Sequence, residues 1–288
     1  VLKSAKPEHI VISMGSFSEL EIKLYQIFLK NLKLPFSLII HANPEDRYFS
    51  ATMAKKMKEV CEIASNIFFV SKRLLEISKR QIAYSFPNSQ IIKNPVNMSS
   101  SDIVVYNGED SILNMACVGR LSARVKGQSL LLQVLSQEKW KTRKWTLNIY
   151  GKGPDEALFK YLTKNWNLEQ KVNFKGHVSD IRNDIWSNNQ VLVMPSYYEG
   201  LPLSLVEAML CGRTAVSTDV GGATEILPEN LGYFSYGVNF SALDKAMDNM
   251  WEEMDLLIKK GSLAKNEIDK YLKSFPTYSE LIENLERN

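Results

Sequence analysis

The stretch QVLVMPSYYEGLPLSLVEAMLCGRTAVSTD, Gln190 to Asp219, decides the fold. It opens with a short β-branched run, passes through a polar loop, enters an apolar helix pattern from Pro202, and closes on a second β-branched run. Strand, loop, helix and strand within thirty residues form one βαβ unit, whose two strands must run parallel with a right-handed crossover. Two carboxylates sit in it: Glu199 just before the helix, and Glu207 one and a half turns inside, among Leu205, Val206, Ala208 and Met209. A carboxylate in such company is rarely buried without a partner, so the placement of Glu207 needs a reason.

The same rhythm extends in both directions. Upstream, HIVISMG, FSLIIHAN, NIFFVSKR and SQIIKNPVN read as strands, separated by helical patterns in SELEIKLYQIFLKNLK, RYFSATMAKKMKEVCEIA and LLEISKRQIAYS. A polar stretch, MSSSDIVVYNGEDS, reads as a linker. The rhythm then restarts with ILNMACVGR, apolar through its interior, then helix GQSLLLQVLSQEK, strand WTLNIYG and helix PDEALFKYLTKNW. KVNFKG, QVLVMPS, TAVSTD and LGYFSY are further strands, with helices starting at Asp180, Pro202 and Gly222, and only helices follow Phe240. Two such runs predict two doubly wound α/β domains, whose ligands bind beyond the carboxyl ends of the strands.

Composition narrows the classes. A chain of 288 residues that is 45% hydrophobic can bury a sizeable core. A net charge of +3 is too small to argue for nucleic acid. Residues 1–100 carry 14 Lys and Arg against 8 Asp and Glu, and the rest 21 against 24. This asymmetry fits either an anionic partner for the first part or unevenly solvated faces. Cys61, Cys117 and Cys211 stand singly in apolar contexts, which suits buried free thiols in a reducing compartment rather than a metal site.

The residues just after each strand carry the chemistry. Arg120 and Lys126, flanked by Gly119 and Gly127, suit a diphosphate or are two solvated cations. GKGP, with Gly151 and Gly153 around Lys152, is neither a Walker A nor a G-x-G-x-x-G motif; it either lets a ligand approach the backbone or makes an ordinary turn. His177, a lone histidine after a strand, is more often a surface or turn residue than a catalyst, and His9, before a strand, carries no functional weight. Pro202 fits a first helical turn, where its missing N–H is not needed. Gly200, Leu201 and Leu203 keep amides there that favour an anion. Glu207 either accepts hydrogen bonds from a vicinal diol such as a ribose or pairs with a cation of the protein, and Glu199 stands at the mouth of the loop.

In order and spacing, CVGRLSARVKG, LNIYGKGP, KVNFKGHVSD, VLVMPSYYEGLPLSLVEAMLCG and VSTDVGGATEIL resemble the retaining glycosyltransferases of family 4. The resemblance implies a GT-B fold, two Rossmann-like doubly wound domains facing a cleft, the first one incomplete. Its divisions would be an acceptor-side domain with linker at 1–110, a nucleotide-sugar domain at 111–275, and a terminal helix at 276–288 crossing back. Glu199 and Glu207 match the E-x7-E motif. Arg120 and Lys126 would neutralise the donor diphosphate, Glu207 would hold the ribose, and Glu199 and His41 would approach the donor sugar. Asn94 fits an asparagine of the first domain, with Pro95 where the family has glycine and Thr214 where it has proline. No D-x-D triplet occurs, so the implied transfer needs no metal and no cofactor. The implied partners are a nucleotide-sugar donor and a glycan, lipid-linked or small-molecule acceptor, with no nucleic acid. AKKMKEV and SKRLLEISKR permit peripheral membrane contact, which suits a cytoplasmic protein at the inner face of a membrane. Roughly a hundred residues of the family pattern precede what HIVISMG matches, so the chain reads as a fragment. A donor-binding module without turnover and a nucleotide-sugar epimerase of the same fold are the alternatives.

Overall fold

The computed structural model describes residues 8–96, 98, 103–109, 111–277 and 280–281. The chain divides into two compact units: Val1–Pro95 with Tyr198–Leu201 and Phe275–Asn288, and Val96–Tyr197 with Pro202–Ser274.

The first unit contains β1 (Ile10–Met14), α1 (Lys23–Lys30), β2 (Phe36–Ile40), α2 (Ala51–Ile63), β3 (Asn66–Phe69), α3 (Lys72–Ile82) and β4 (Ser89–Ile91). Its strands pair in parallel in the order β1-β2-β3-β4. Serine caps start α2 and α3, with Ser50 accepting from the Met53 amide and Ser71 from the Leu74 amide. The helix expected across SELEIKLYQIFLKNLK is broken. Phe17–Glu21 forms a 3-10 turn closed by a capping box at Ser16, and Ile22 is extended before α1 begins. The break seats Phe17 and Leu20 in the core and lets the buried Gln26 amide donate to the Leu20 carbonyl. Lys93 bridges in parallel to Thr277, while most of the expected terminal helix lies outside the described residues.

The second unit contains β5 (Leu113–Val118), α4 (Ala123–Lys126), α5 (Gln128–Leu135), α6 (Glu138–Thr142), β6 (Trp145–Tyr150), α7 (Glu156–Asn165) and β7 (Val172–Gly176). A π-helical turn at Ile181–Trp186 leads to β8 (Val191–Met194), α8 (Leu203–Leu210), β9 (Thr214–Thr218), α9 (Ala223–Ile226), β10 (Tyr233–Ser235), α10 (Phe240–Glu252) and α11 (Leu257–Ser274). The sheet order is β10-β9-β8-β5-β6-β7, all parallel. The alternating strand–helix pattern therefore builds two Rossmann-like α/β units. In the second, the strand order reverses between β5 and β8, which places a ligand crevice beyond their carboxyl ends.

One face of this sheet presents Leu113, Met115, Cys117, Leu147 and Ile149 to a core shared with α5, Trp140 and α10. The other face is not apolar throughout, as ILNMACVGR suggests. Asn114 accepts from the Thr146 hydroxyl, and Asn173 donates to Asn148, which donates to Asn189.

The stretch read as a linker also differs. Val104 donates its amide to the Cys211 carbonyl, and Asn107 donates to Ser187. The buried Arg213 guanidinium donates to the carbonyls of Val104, Trp186, Asn189 and Cys211. Residues 103–109 thus pack as part of the second unit. Burial without a carboxylate lowers the Arg213 pKa to about 10. All three cysteines are buried and free. Among the described residues no helix is long and apolar enough to cross a membrane.

Candidate functional site

The loop from Gly119 to Gly127 links β5 to α5 and is bonded to its neighbours. The Leu121 amide donates to the Lys152 carbonyl at 3.1 Å, and the Tyr197 amide donates to the Val125 carbonyl at 2.8 Å. The Ala123 amide donates to Asp155 Oδ2 at 2.8 Å, and Gln128 Nε2 donates to the Arg120 carbonyl at 2.9 Å. The Lys126 stem lies over Gly119: a Cβ built on that glycine would sit 3.7 Å from Lys126 Cε. The Arg120 side chain is exposed and makes no hydrogen bond or ion pair among the described residues.

Beyond β5 and β6 lies a cavity of about 480 Å³. Val118, Val178, Ile181 and Ile185 give it an apolar wall, while Arg120, Lys152, His177 and Glu207 give it charge and polarity. An apolar wall suits a flat base, the cations suit an anion, and a carboxylate suits hydroxyl donors. Glu207 is half-buried on α8, and among the described residues no side chain donates to it or pairs with it. Burial alone pushes its carboxyl up to about 7. The internal ion pair that the sequence left open is thus not made.

The other residues singled out in the sequence fall in distinct places. Pro202 stands at the N-cap of α8 rather than in its first turn, and Leu203 is the first helical residue. The Pro202 carbonyl accepts from the Leu205 and Val206 amides, leaving those of Leu203 and Ser204 at the open helix start. Gly153 faces protein rather than cavity: a Cβ there would lie 2.1 Å from the Leu121 carbonyl oxygen. Glu199, Gly200 and Leu201 group with the first unit. A Cβ on Gly200 would lie 1.8 Å from the His41 carbonyl oxygen, so only glycine fits that approach. His41 follows β2, and its Nε2 is 2.9 Å from Ser13 Oγ. Burial lowers the His41 pKa, partly opposed by a hydrogen bond to Asn94.

Lys152 and His177 line the cavity although the sequence reading gave them little weight. The signal that could have found them was their position, since each follows directly on a strand of one sheet. Asp155 and Gln128 were missed altogether.

Residues 113–253 match the family model of the glycosyl transferases group 1. The chain is 28% identical over 203 residues to one subunit of the human phosphatidylinositol N-acetylglucosaminyltransferase, covering 68% of this chain and 40% of that protein. It is 26% identical over 239 residues to the Staphylococcus aureus poly(ribitol-phosphate) alpha-N-acetylglucosaminyltransferase, covering 81% of this chain and 47% of that one. The chain thus spans about half the length of the curated relatives it matches. Anabaena HepE, solved in complex with UDP-glucose, shares the fold with a TM-score of 0.74 at 18% identity, over 96% of this chain and 79% of that one. GT-B glycosyltransferases are therefore its structural neighbours.

Proposed function

We propose that this chain binds a nucleoside-diphosphate sugar and that the protein transfers the sugar, with retention of configuration, to a glycan, lipid-linked or small-molecule acceptor. The observation that carries the reading is one cavity beyond β5 and β6 that brings together Arg120 and Glu207, neither of which has a side-chain partner among the described residues. Glu207 accepts hydrogen bonds from the vicinal hydroxyls of the ribose. Arg120, Lys126 and the open start of α8 take the diphosphate, and Glu199 and His41 contact the sugar. The relatives named for sugar transfer support this, as does the HepE complex.

The chemistry follows from where charge develops. The bond from the anomeric carbon to the diphosphate oxygen breaks, and its electron pair leaves with the nucleoside diphosphate. The acceptor oxygen bonds to the same face, and its proton passes to the departing phosphate oxygen. Negative charge thus grows on the phosphate, where fixed cations and amides stabilise it without reorganising. The reading includes no dedicated base and no metal, the latter supported by the missing D-x-D triplet. It also includes contact of the basic first hundred residues with an anionic membrane surface, at a cytoplasmic face.

A thermal-shift panel with UDP, GDP, ADP and CDP, with and without EDTA, tests the core of this. The matching nucleotide at a hundredfold excess over Kd stabilises the fold by about 2.7 kcal/mol. No shift with any of them, from a folded chain, overturns the reading, and a shift abolished by EDTA overturns metal independence.

A further inference from the structure

We infer that Asp155 and Gln128 are positioning residues that set the cation loop for the diphosphate; this rests on the donor-site reading above. Two observations carry it. First, Asp155 is the N-cap residue of α7, yet its side chain makes no capping bond there. Its carboxylate instead accepts from the Ala123 amide, the first of α4, at 2.8 Å. Ser122, the N-cap residue of α4, makes no side-chain capping bond. The helix that ends on Lys126 is therefore capped from another loop, by a residue 32 positions away.

Second, Gln128 is 1% exposed and donates Nε2 to the Arg120 carbonyl, while its buried Oε1 has no partner among the described residues. An unpaired buried acceptor is unfavourable, so the side chain is not there for stability alone. Together the two side chains fix the backbone at Arg120 and the start of the turn that carries Lys126. The loops after β5 and β6 form one bonded pair: the Leu121 amide donates to Lys152, the Asp155 amide donates to Leu121, and Gly151 packs on the Gly119 carbonyl. A loop held this way meets a diphosphate with its cations already placed, so little ordering cost falls on binding. Neither side chain needs to touch the ligand.

The test is calorimetry of Asp155→Ala, Asp155→Asn and Gln128→Leu with paired probes: UDP and uridine, GDP and guanosine, ADP and adenosine. The pair whose diphosphate binds the wild-type chain most tightly is carried forward. Loss of one such cap or hydrogen bond corresponds to roughly three- to tenfold weaker diphosphate binding. That loss is expected in Asp155→Ala and Gln128→Leu, with nucleoside affinity changed far less, because the nucleoside carries no diphosphate for Arg120 and Lys126 to hold. Asp155→Asn keeps an acceptor and should bind the diphosphate like wild type. Gln128→Leu removes the unpaired Oε1 and should be at least as stable as wild type in a thermal melt. If Asp155→Ala does not fold, Gln128→Leu decides. An unchanged ratio of diphosphate to nucleoside affinity in the folded variants overturns the positioning role and leaves the donor site standing. A wild-type chain that binds neither probe overturns both.

Discussion

Two regions of the second unit meet the same cavity and are built in opposite ways. The loop after β5 is bonded to its neighbours at Leu121, Ala123, Val125 and the Arg120 carbonyl. Among the described residues no side chain bonds to Glu207 on α8, and burial pushes its carboxyl up to about 7. The cationic side is organised before a ligand arrives. The acidic side is half-buried with no side-chain donor among the described residues, a state that costs stability until hydroxyls reach it. The contrast is what a site for an anion joined to a diol requires: fixed positive charge at one end and an unmet acceptor at the other.

The largest effect should come from breaking the organised side. Lys126→Ala is expected to lower sugar transfer by about 10²–10³-fold, the loss typical of one donor to a developing oxyanion. Steady-state rates on the active protein check this, and a change under threefold removes Lys126 from the mechanism. Breaking the other side should act on binding. Glu207→Ala is expected to weaken nucleotide binding by about 1.5–3 kcal/mol, the scale of charge-assisted hydrogen bonds, as read by calorimetry.

A third expectation uses pH. Glu207 with its carboxyl near 7 must ionise before it accepts two hydroxyl hydrogen bonds. Nucleotide affinity should therefore fall about tenfold from pH 8 to pH 6, relative to Glu207→Gln over the same range. The stability of the free protein should move the other way. The folded pKa lies above the unfolded one, so between the two the folded state binds more protons, and stability drops as pH rises from about 4.5 to 7. Thermal melts that show no difference in slope between wild type and Glu207→Gln would contradict this.

The smallest effect marks where the tight packing ends. Gly176 has φ +69°, and apart from its chain neighbours no atom of the described residues lies within 4 Å of where a Cβ would sit. Gly176→Ala should cost about 1 kcal/mol of stability from backbone strain alone. Nucleotide affinity should be unchanged, and a measurable drop would mean that the turn before His177 is part of the organised region.

Much of this was legible in the sequence for a physical reason. Short apolar, β-branched runs alternating with helical periodicity admit few packings, so the two parallel sheets followed. Arg120 could be named as a candidate because it sits just past a strand, and Glu207 because it is a carboxylate among apolar helix residues. The break at Ile22 could not be read, because the helical pattern continues through it and only the burial of Phe17, Leu20 and Gln26 decides it. Asp155 was invisible for the opposite reason. It looks like an ordinary helix start, and its real partner, Ala123, is brought to it only by the pairing of β5 with β6. Lys152 and His177 were visible but indistinguishable from turn residues until the cavity placed them on one wall.

The most direct test of the central claim compares a ribonucleoside diphosphate with its 2′,3′-dideoxy counterpart on wild type and Glu207→Gln, by calorimetry at pH 8. If Glu207 holds the ribose, wild type should prefer the ribo form by about tenfold or more, and the preference should vanish in the variant. Equal binding of both forms by wild type, or a preference that survives in Glu207→Gln, would contradict the account.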